Sequence, residues 1–499
     1  MKQKANFLRS GLLFLTLLTG CAGGGGENSN GGSQNKPSNP TSGTQNKGEI
    51  WVQIYDGGYG SGWIEKISAD YEAKTGVKVN YNMSISILDR LESDLEKSPE
   101  YDIYMSHDIN WQNFAARDLL ESLDDLYERD IDGTGKKFKD RLVNGAVDIS
   151  KSENGSGKQH YYRVNYTQGA GGLVYNVDMF NKNGWDVPTT YEQLTALANK
   201  IVEAEIEIPG TRETVVPFTW AGSDRQYYWD YLVFEWWAQL AGMDKIDTFK
   251  KYLGPTGLFK DGYEMFNPDS YYKEFLQAYK MWYDLIAVKP ANSTPSAYGN
   301  NLLQAQANFA AGKAAMMPYA QWAKFETESA MDKPFDFNIA MMKTPRAKAD
   351  SPYVNYLVGF GDSIIIPSKI DAAAKERAKD FLAYLATYEA CATFAEQSKG
   401  AFLAFDYTDV VLSEEANNDT FVTSIKAKLT ETTTFNLVSK NEITVWNVNK
   451  VMPWVENEYY YTLACSKSSD YTAEKVGTKV YKAAKDGWSA WLRAAGLKD

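Results

Sequence analysis

The chain has 499 residues, of which 44% are apolar and 14% aromatic, and its formal net charge is −12. The composition is that of a folded globular protein able to bury a large core. The negative charge argues against nucleic acid or an anionic membrane surface as the main partner, and it disfavours a highly anionic ligand. The two histidines, His107 and His160, are far apart and lack metal-ligand spacing, so zinc catalysis and a metal centre are not expected.

The first residues carry an address. Lys2, Lys4 and Arg9 lead into a short apolar run from Leu12 to Leu18, too short to span a membrane and typical of an export signal over residues 1–20. Leu18-Thr19-Gly20-Cys21 resembles the lipobox of bacterial lipoproteins. That resemblance implies that Cys21 is lipidated, becomes the new N-terminus and holds the body on the extracytoplasmic face of the cell membrane. Residues 21–48 then form a linker. Ala22–Gly48 has no apolar cluster to pack, and as a Gly-rich coil it would average roughly 30 Å end to end. Removing residues 1–20 deletes three basic residues and no acid, leaving a mature charge near −15. Cys391 and Cys465 remain, and sequence leaves open whether they pair or stay as buried thiols.

The body of about 450 residues has the length of two or three domains. Ile50, Val52 and Ile54 alternate as in a strand. A glycine-rich loop follows, Tyr55-Asp-Gly-Gly-Tyr-Gly-Ser-Gly62. Trp63, Ile64, Ile67 and Tyr71 then recur at helical spacing, and Gly76 reads as the residue just past the helix end. Val77, Val79 and Tyr81 alternate again, which completes a unit of βαβ size. Further on, Asp102–Ser106 and Leu173–Asn176 read as buried strands. Thr189 with Glu192 reads as a capping box before a helix carrying Leu194, Leu197 and Ile201. A helix from Asn301 to Ala311 stops at Gly312, before a strand over Ala314–Met317. Ile364–Ile366 reads as a strand and Ala372–Ala386 as a helix. The fold class is α/β with a parallel or mixed sheet.

Several of these segments together resemble the bacterial extracellular solute-binding proteins of sugar ABC transporters, the maltose-binding-protein-like class. The similar stretches are Ile50–Gly60, Tyr71-Glu-Ala-Lys-Thr-Gly-Val-Lys-Val79, Tyr101–Asp108, Gly172–Phe180, Trp185–Leu194 and Phe309-Ala-Ala-Gly-Lys-Ala-Ala-Met-Met317 with Trp322. No one of them is specific, but they occur in the family's order along the body. The resemblance implies a two-lobed periplasmic-binding-protein-like fold of type II with the ligand cleft between the lobes. By analogy the chain crosses between lobes near 164, 334 and 400. That places 49–164 with 334–400 in one lobe, and 165–333 with 401–499 in the other. It implies a monomeric, non-enzymatic receptor without cofactor that passes a mono- or oligosaccharide to an ABC permease. Residues around 245–300 and 400–470 exceed the usual family length and are expected to extend the cleft.

A sugar presents apolar C–H faces to aromatic rings and hydroxyls to carboxylates. In open α/β sheets such sites lie beyond the carboxyl ends of strands. Tyr55, Asp56 and Tyr59 follow the first strand, although the same glycines would serve a plain turn. His107 and Asp108 follow the Asp102–Ser106 strand, where the family places a sugar-binding carboxylate, although Asp is also a common helix N-cap. Trp111 lies one turn on. Trp220 follows the apolar Val215–Phe218 run as a stacking candidate. Trp236 and Trp237 read mainly as core. Tyr319 and Trp322 follow the Ala314–Met317 strand, and the family keeps a ligand-facing aromatic there. Phe360, between Gly359 and Gly361, and the hinge residues Asn165 and Tyr166 complete the set.

Two other readings stay open. A secreted glycoside hydrolase would need two carboxylates flanking a cleft. A ferric-ion or other non-sugar binder would use tyrosines, such as the pairs Tyr161-Tyr162 and Tyr227-Tyr228. Asp130-Ile-Asp-Gly-Thr-Gly135 begins like a calcium loop, but Arg141 stands where the bidentate glutamate belongs.

Overall fold

A computed structural model of the chain describes residues 48–223, 229–295, 297–358, 362–437 and 472–494. The export signal, Cys21, the tether before Gly48, Tyr227-Tyr228, Phe360 and Cys465 lie outside the described residues.

The first strand, β1 (Glu49–Tyr55), buries Ile50, Val52 and Ile54 completely. Helix α1 (Gly62–Thr75) lays Trp63, Ile64, Ile67 and Tyr71 inward and ends at Gly76, whose φ of 75° is left-handed. Strands β2 (Lys78–Ser84) and β3 (Ile103–Ser106) pair in parallel on either side of β1. Because β1 and β3 run the same way, Tyr55 and His107 leave the sheet at one edge.

The chain then passes through β4 (Val164–Asn165) and β5 (Thr167–Gln168) into a second sheet. Its elements are β6 (Gly171–Asn176), α2 (Tyr191–Glu203), β7 (Val216–Phe218), α3 (Trp229–Ala241), α4 (Lys273–Trp282), α5 (Leu302–Ala310), β8 (Ala314–Ala320), α6 (Ala323–Met331) and β9 (Ile339–Met341). The order across this sheet is β7-β8-β6-β9, with β7 parallel to β8 and β6 antiparallel to both neighbours. Asn301 and Gln304 cap α5 reciprocally. At α2 the cap lies one residue later than the sequence predicts: Thr190 accepts from the Gln193 amide, while Gln193 Oε1 accepts from the Thr189 amide.

The return brings β10 (Val354–Tyr356), β11 (Ser363–Ile365), α7 (Ala372–Leu385), α8 (Tyr388–Gln397), β12 (Phe402–Leu403), α9 (Thr420–Thr430), β13 (Thr433–Phe435) and α10 (Ala473–Ala494). The first sheet thereby has the order β2-β1-β3-β11-β4, with β11 antiparallel to both β3 and β4.

Strand pairing moves two of the expected crossings. Residues 339–341 bond to β6 and 363–365 to β3, so the chain is still in the second sheet past the crossing expected near 334 and has returned to the first by β11. On that return Leu357 bridges Ala170, and the Tyr166 amide donates to Asp362 O at 3.0 Å. A Cβ on Gly169 would fall 2.2 Å from Val358 O, so the two crossing segments touch backbone to backbone. Past residue 400, β12 pairs with β5 and Phe405 bridges Leu142 of the first lobe. The final transfer to the second lobe comes at α9, where Thr420 Oγ1 donates to Ile339 O and Ser424 Oγ accepts from Met341 N.

The core of the first lobe continues through Tyr166 and Ala170 to Val174 and Met317 on one face of the second sheet. The other face carries a separate aromatic core. Phe249, Tyr252, Phe266 and Trp282, from the segment expected to extend the cleft, are buried in it beside Trp488 and Trp491 of α10. These described residues thicken the lobe and present no ring to a ligand. Cys391 is a buried thiol with no disulfide partner among the described residues, its pKa pushed up to about 12 by burial first. No helix among the described residues is long and apolar enough to cross a membrane.

Candidate functional site

The loop after β1 and the residues after β3 meet at one edge of the first sheet. The Tyr55 and His107 rings stand edge to face with centroids 4.1 Å apart. Asp56 is exposed beside them. His107 Nδ1 lies 3.2 Å from Asp108 Oδ2. Asp108 has a left-handed φ of 52°, a conformation Asp tolerates better than most residues. It is not a helix cap, because the following short helix, Trp111–Ala116, starts after Asn110.

The hinge forms the floor. Tyr59 is buried, with its ring 6.0 Å from Tyr166 and 6.4 Å from Trp322. Its hydroxyl lies 3.4 Å from Thr167 Oγ1. Asn165 is fully buried and accepts from Ser150 Oγ. Arg163 donates to Ser363 Oγ at 3.0 Å and lies over Trp111, which is core rather than cleft.

The second lobe contributes α6. Trp322 stands at its start, half-buried, and Glu326 one turn on. The glycine-rich loop packs directly on this helix. A Cβ on Gly60 would fall 2.2 Å from Phe325 Cζ, and one on Gly58 would fall 3.7 Å from both Trp322 Cβ and Glu326 Oε1. The lobes are closed at this point, and the glycines permit it.

Asp362, immediately before β11, is the carboxylate that sequence reasoning missed. Because β11 is antiparallel to β3, the residue before it lies at the same edge as those after β1 and β3. Burial first, then Asp108, raise Asp362 to about 7 against the opposing effects of His107, Arg163 and a Thr167 hydrogen bond. Tyr55 is raised by burial and by Asp362, Asp108, Asp56 and Glu326, so one phenol feels four carboxylates drawn from both lobes. Burial opposes the protonation of His107, but Asp108 and Asp362 outweigh it and its pKa is raised. Glu326 is also raised by burial, with the Tyr319 hydrogen bond acting the other way.

The structure thus brings Tyr55, Asp56, Tyr59, His107, Asp108 and Trp322 together, and adds Tyr166, Glu326 and Asp362. It places two others elsewhere. Trp220 is 2% exposed and enclosed by Trp282 and Tyr298, with its indole donating to Ser293 Oγ at 3.0 Å. It is a core residue with no face free for stacking. Tyr319 is likewise buried, and its hydroxyl is engaged by Gln306 and Glu326. Trp236 and Trp237 are core, as expected. Tyr161 and Tyr162 do not converge: Tyr161 stacks on Tyr127, while Tyr162 joins a different apolar cluster with Tyr104 and Trp111. Among the described residues no group of three or more His, Cys, Asp or Glu is placed to hold a metal ion.

Two α/β lobes linked by crossing segments, with polar and aromatic side chains facing each other at the junction, define a cleft-type binding protein of the periplasmic type II fold. The chain belongs to the bacterial extracellular solute-binding protein family, whose model matches residues 56–390. It is 26% identical over 176 residues to the diacetylchitobiose-binding protein NgcE of Streptomyces coelicolor, a match covering 35% of this chain and 36% of that relative. In fold it is similar to apo RafE of Streptococcus pneumoniae, with a TM-score of 0.61 at 16% identity over 89% of this chain and 99% of that one. RafE is also known in complex with raffinose. The GacH receptor of Streptomyces glaucescens, seen unliganded and with acarbose, has a TM-score of 0.56 at 15% identity, covering 90% and 100% of the two chains. At these identities the likeness to the solved structures is one of fold.

Proposed function

We propose that this protein is a lipid-anchored, non-enzymatic receptor that captures a mono- or oligosaccharide between its lobes and delivers it to an ABC permease. The observation that carries the reading is the meeting of Trp322 with Tyr59 across the lobe junction, at the sheet edge where Tyr55, His107 and Asp108 are grouped. An aromatic face on one lobe and hydroxyl-binding carboxylates on the other suit the two chemistries of a sugar ring. Family membership and the sugar ligands of the similar proteins support the same reading. Anchoring at Cys21 and the permease partner rest on the lipobox resemblance and on the family.

The test is a thermal-shift screen against a carbohydrate panel, followed by titration calorimetry of the sugars that raise the melting temperature. Trp322→Ala and Asp108→Ala should each cost about 1–3 kcal/mol of binding. Wild-type affinity in both variants would remove the site assignment. Release of reducing ends from the bound sugar would favour a hydrolase instead, and a coloured iron–phenolate complex a ferric-ion binder.

A further inference from the structure

Charge at the site is lopsided. Asp56, Asp108 and Asp362 come from the first lobe and Glu326 from the second, and all four act on Tyr55. The cations acting on Asp362 are His107 and Arg163. His107 already pairs with Asp108, and Arg163 is directed to Ser363 Oγ and the Trp111 face. A second observation is independent of the carboxylates. The Tyr166 hydroxyl is buried without a hydrogen-bond partner among the described residues, on a residue only 3% exposed, within the field of Tyr59, Asp362 and Asp56. Ser106 Oγ, fully buried on the strand paired to Ser363, also has no partner among the described residues. A buried polar atom left unpaired costs stability unless something fills it.

We propose that the sugar bound here carries a protonated amine, and that its ammonium docks between Asp362, Asp56 and the Tyr166 hydroxyl. The inference rests on the reading that a carbohydrate enters this cleft. An ammonium has three donors and no acceptor. A set of carboxylate and phenol oxygens suits it better than it suits a neutral hydroxyl, which also needs an acceptor for its own proton. Burial holds the Asp362 carboxyl protonated up to near neutral pH in the free protein. A bound ammonium adds positive charge beside His107 and Arg163, and the displaced carboxyl proton leaves to solvent. Uronic acids meet the acidic cluster of Asp56, Asp108 and Glu326 and are rejected.

The experiment compares glucosamine and its oligomers with their N-acetylated counterparts, neutral glucose oligomers and glucuronate. Each is titrated at pH 6.5 into the full-length protein purified in detergent. The amines should bind about tenfold more tightly than the N-acetylated sugars, the worth of one charge-assisted hydrogen bond. Their heat of binding should depend on the buffer's ionisation enthalpy, with net proton release. Asp362→Asn should shrink the ratio of amine to N-acetyl affinity toward one. Tyr166→Phe keeps the ring among Trp63 and Phe394, and should shrink it in the same direction. Neutral or N-acetylated sugars binding as well as the amines would overturn the inference while leaving the carbohydrate receptor intact. Failure of every sugar, charged or not, to bind would remove both.

Discussion

The Tyr319 hydroxyl donates to Glu326 Oε2, the same oxygen that accepts from Gln306 Nε2 at 3.2 Å. Gln306 Nε2 also donates to the Tyr319 hydroxyl, at 2.6 Å. The phenol therefore fixes a carboxylate on α6 whose other oxygen faces the Gly58 loop across the junction. It is a positioning residue and not a ligand contact. Tyr319→Phe should lower stability by about 1–2 kcal/mol by leaving buried polar partners unmet. In the same preparation Trp322→Ala should weaken sugar binding more than Tyr319→Phe does, beyond any loss of packing against Tyr59. Denaturant melts paired with calorimetric titration separate the two effects. The roles are reversed if Tyr319→Phe weakens binding and Trp322→Ala does not.

Trp220 gives a parallel contrast. Its indole is enclosed by Trp282 and Tyr298 and bonded to Ser293. Trp220→Phe removes that hydrogen bond and part of a buried ring, so it should cost about 1–3 kcal/mol of stability. Ligand affinity should stay within twofold of wild type. A tenfold loss of affinity in a fully folded variant would return Trp220 to the site.

These two tryptophans also show what the sequence could reveal. β7 and β8 are parallel neighbours, and Trp220 and Trp322 each follow one of them. The rule that sites lie past the carboxyl ends of strands therefore selects both. Only packing from residues far along the chain, Trp282 and Tyr298, covers one and leaves the other. The same rule found Tyr55, Asp56, His107 and Asp108, because β1 and β3 are parallel. It missed Asp362 because the Ile364–Ile366 run is apolar throughout and gives no sign of its direction. An antiparallel β11 brings the residue before the strand, not the one after it, to the site. The crossing near 334 failed for a related reason, since nothing local tells Ile339–Met341 which sheet to join.

Closure depends on Gly60. Its φ of 65° is left-handed, and Phe325 of the opposite lobe occupies the space a side chain would need. Gly60→Leu should keep each lobe folded but hold the glycine-rich loop off α6. The expected result is at least about tenfold weaker binding, from closure energy lost at the junction. Small-angle scattering with saturating sugar should show a larger radius of gyration than wild type. Wild-type compaction and affinity would mean that Phe325 simply swings aside.

Asp362 makes stability depend on pH. Its folded-state pKa is about 7 against an ordinary carboxyl value of 3.8, chiefly through burial. The folded state thus holds a proton that the unfolded chain has released. The associated stabilisation is full below about pH 3.8 and is lost as pH rises through about 7. The ligand-free wild type should therefore lose melting temperature between pH 5 and pH 8 relative to Asp362→Asn, which cannot ionise. At pH 8 the variant should be at least as stable as wild type. Parallel pH profiles for the two proteins would show that Asp362 ionises freely.

Lys428 and Glu235 form a fully buried pair that joins α9 to α3 beside the first residue of β6. The ammonium donates to Gly171 O at 2.5 Å, to Glu235 Oε2 at 3.0 Å and to Thr344 Oγ1 at 3.0 Å, while Glu235 Oε1 accepts from the Tyr356 amide at 2.9 Å. Burial drives Glu235 up and Lys428 down in pKa, against their mutual attraction. The pair is therefore costly to ionise, and its hydrogen bonds offset that cost. Removing one partner strands the other. Lys428→Met should destabilise by about 3–5 kcal/mol. Adding Glu235→Gln should recover part of that loss, because the orphaned carboxylate becomes neutral and still accepts from Tyr356. Chemical denaturation of the single and double variants measures the coupling. Equal stability of the two would show that Glu235 is already protonated when Lys428 is absent.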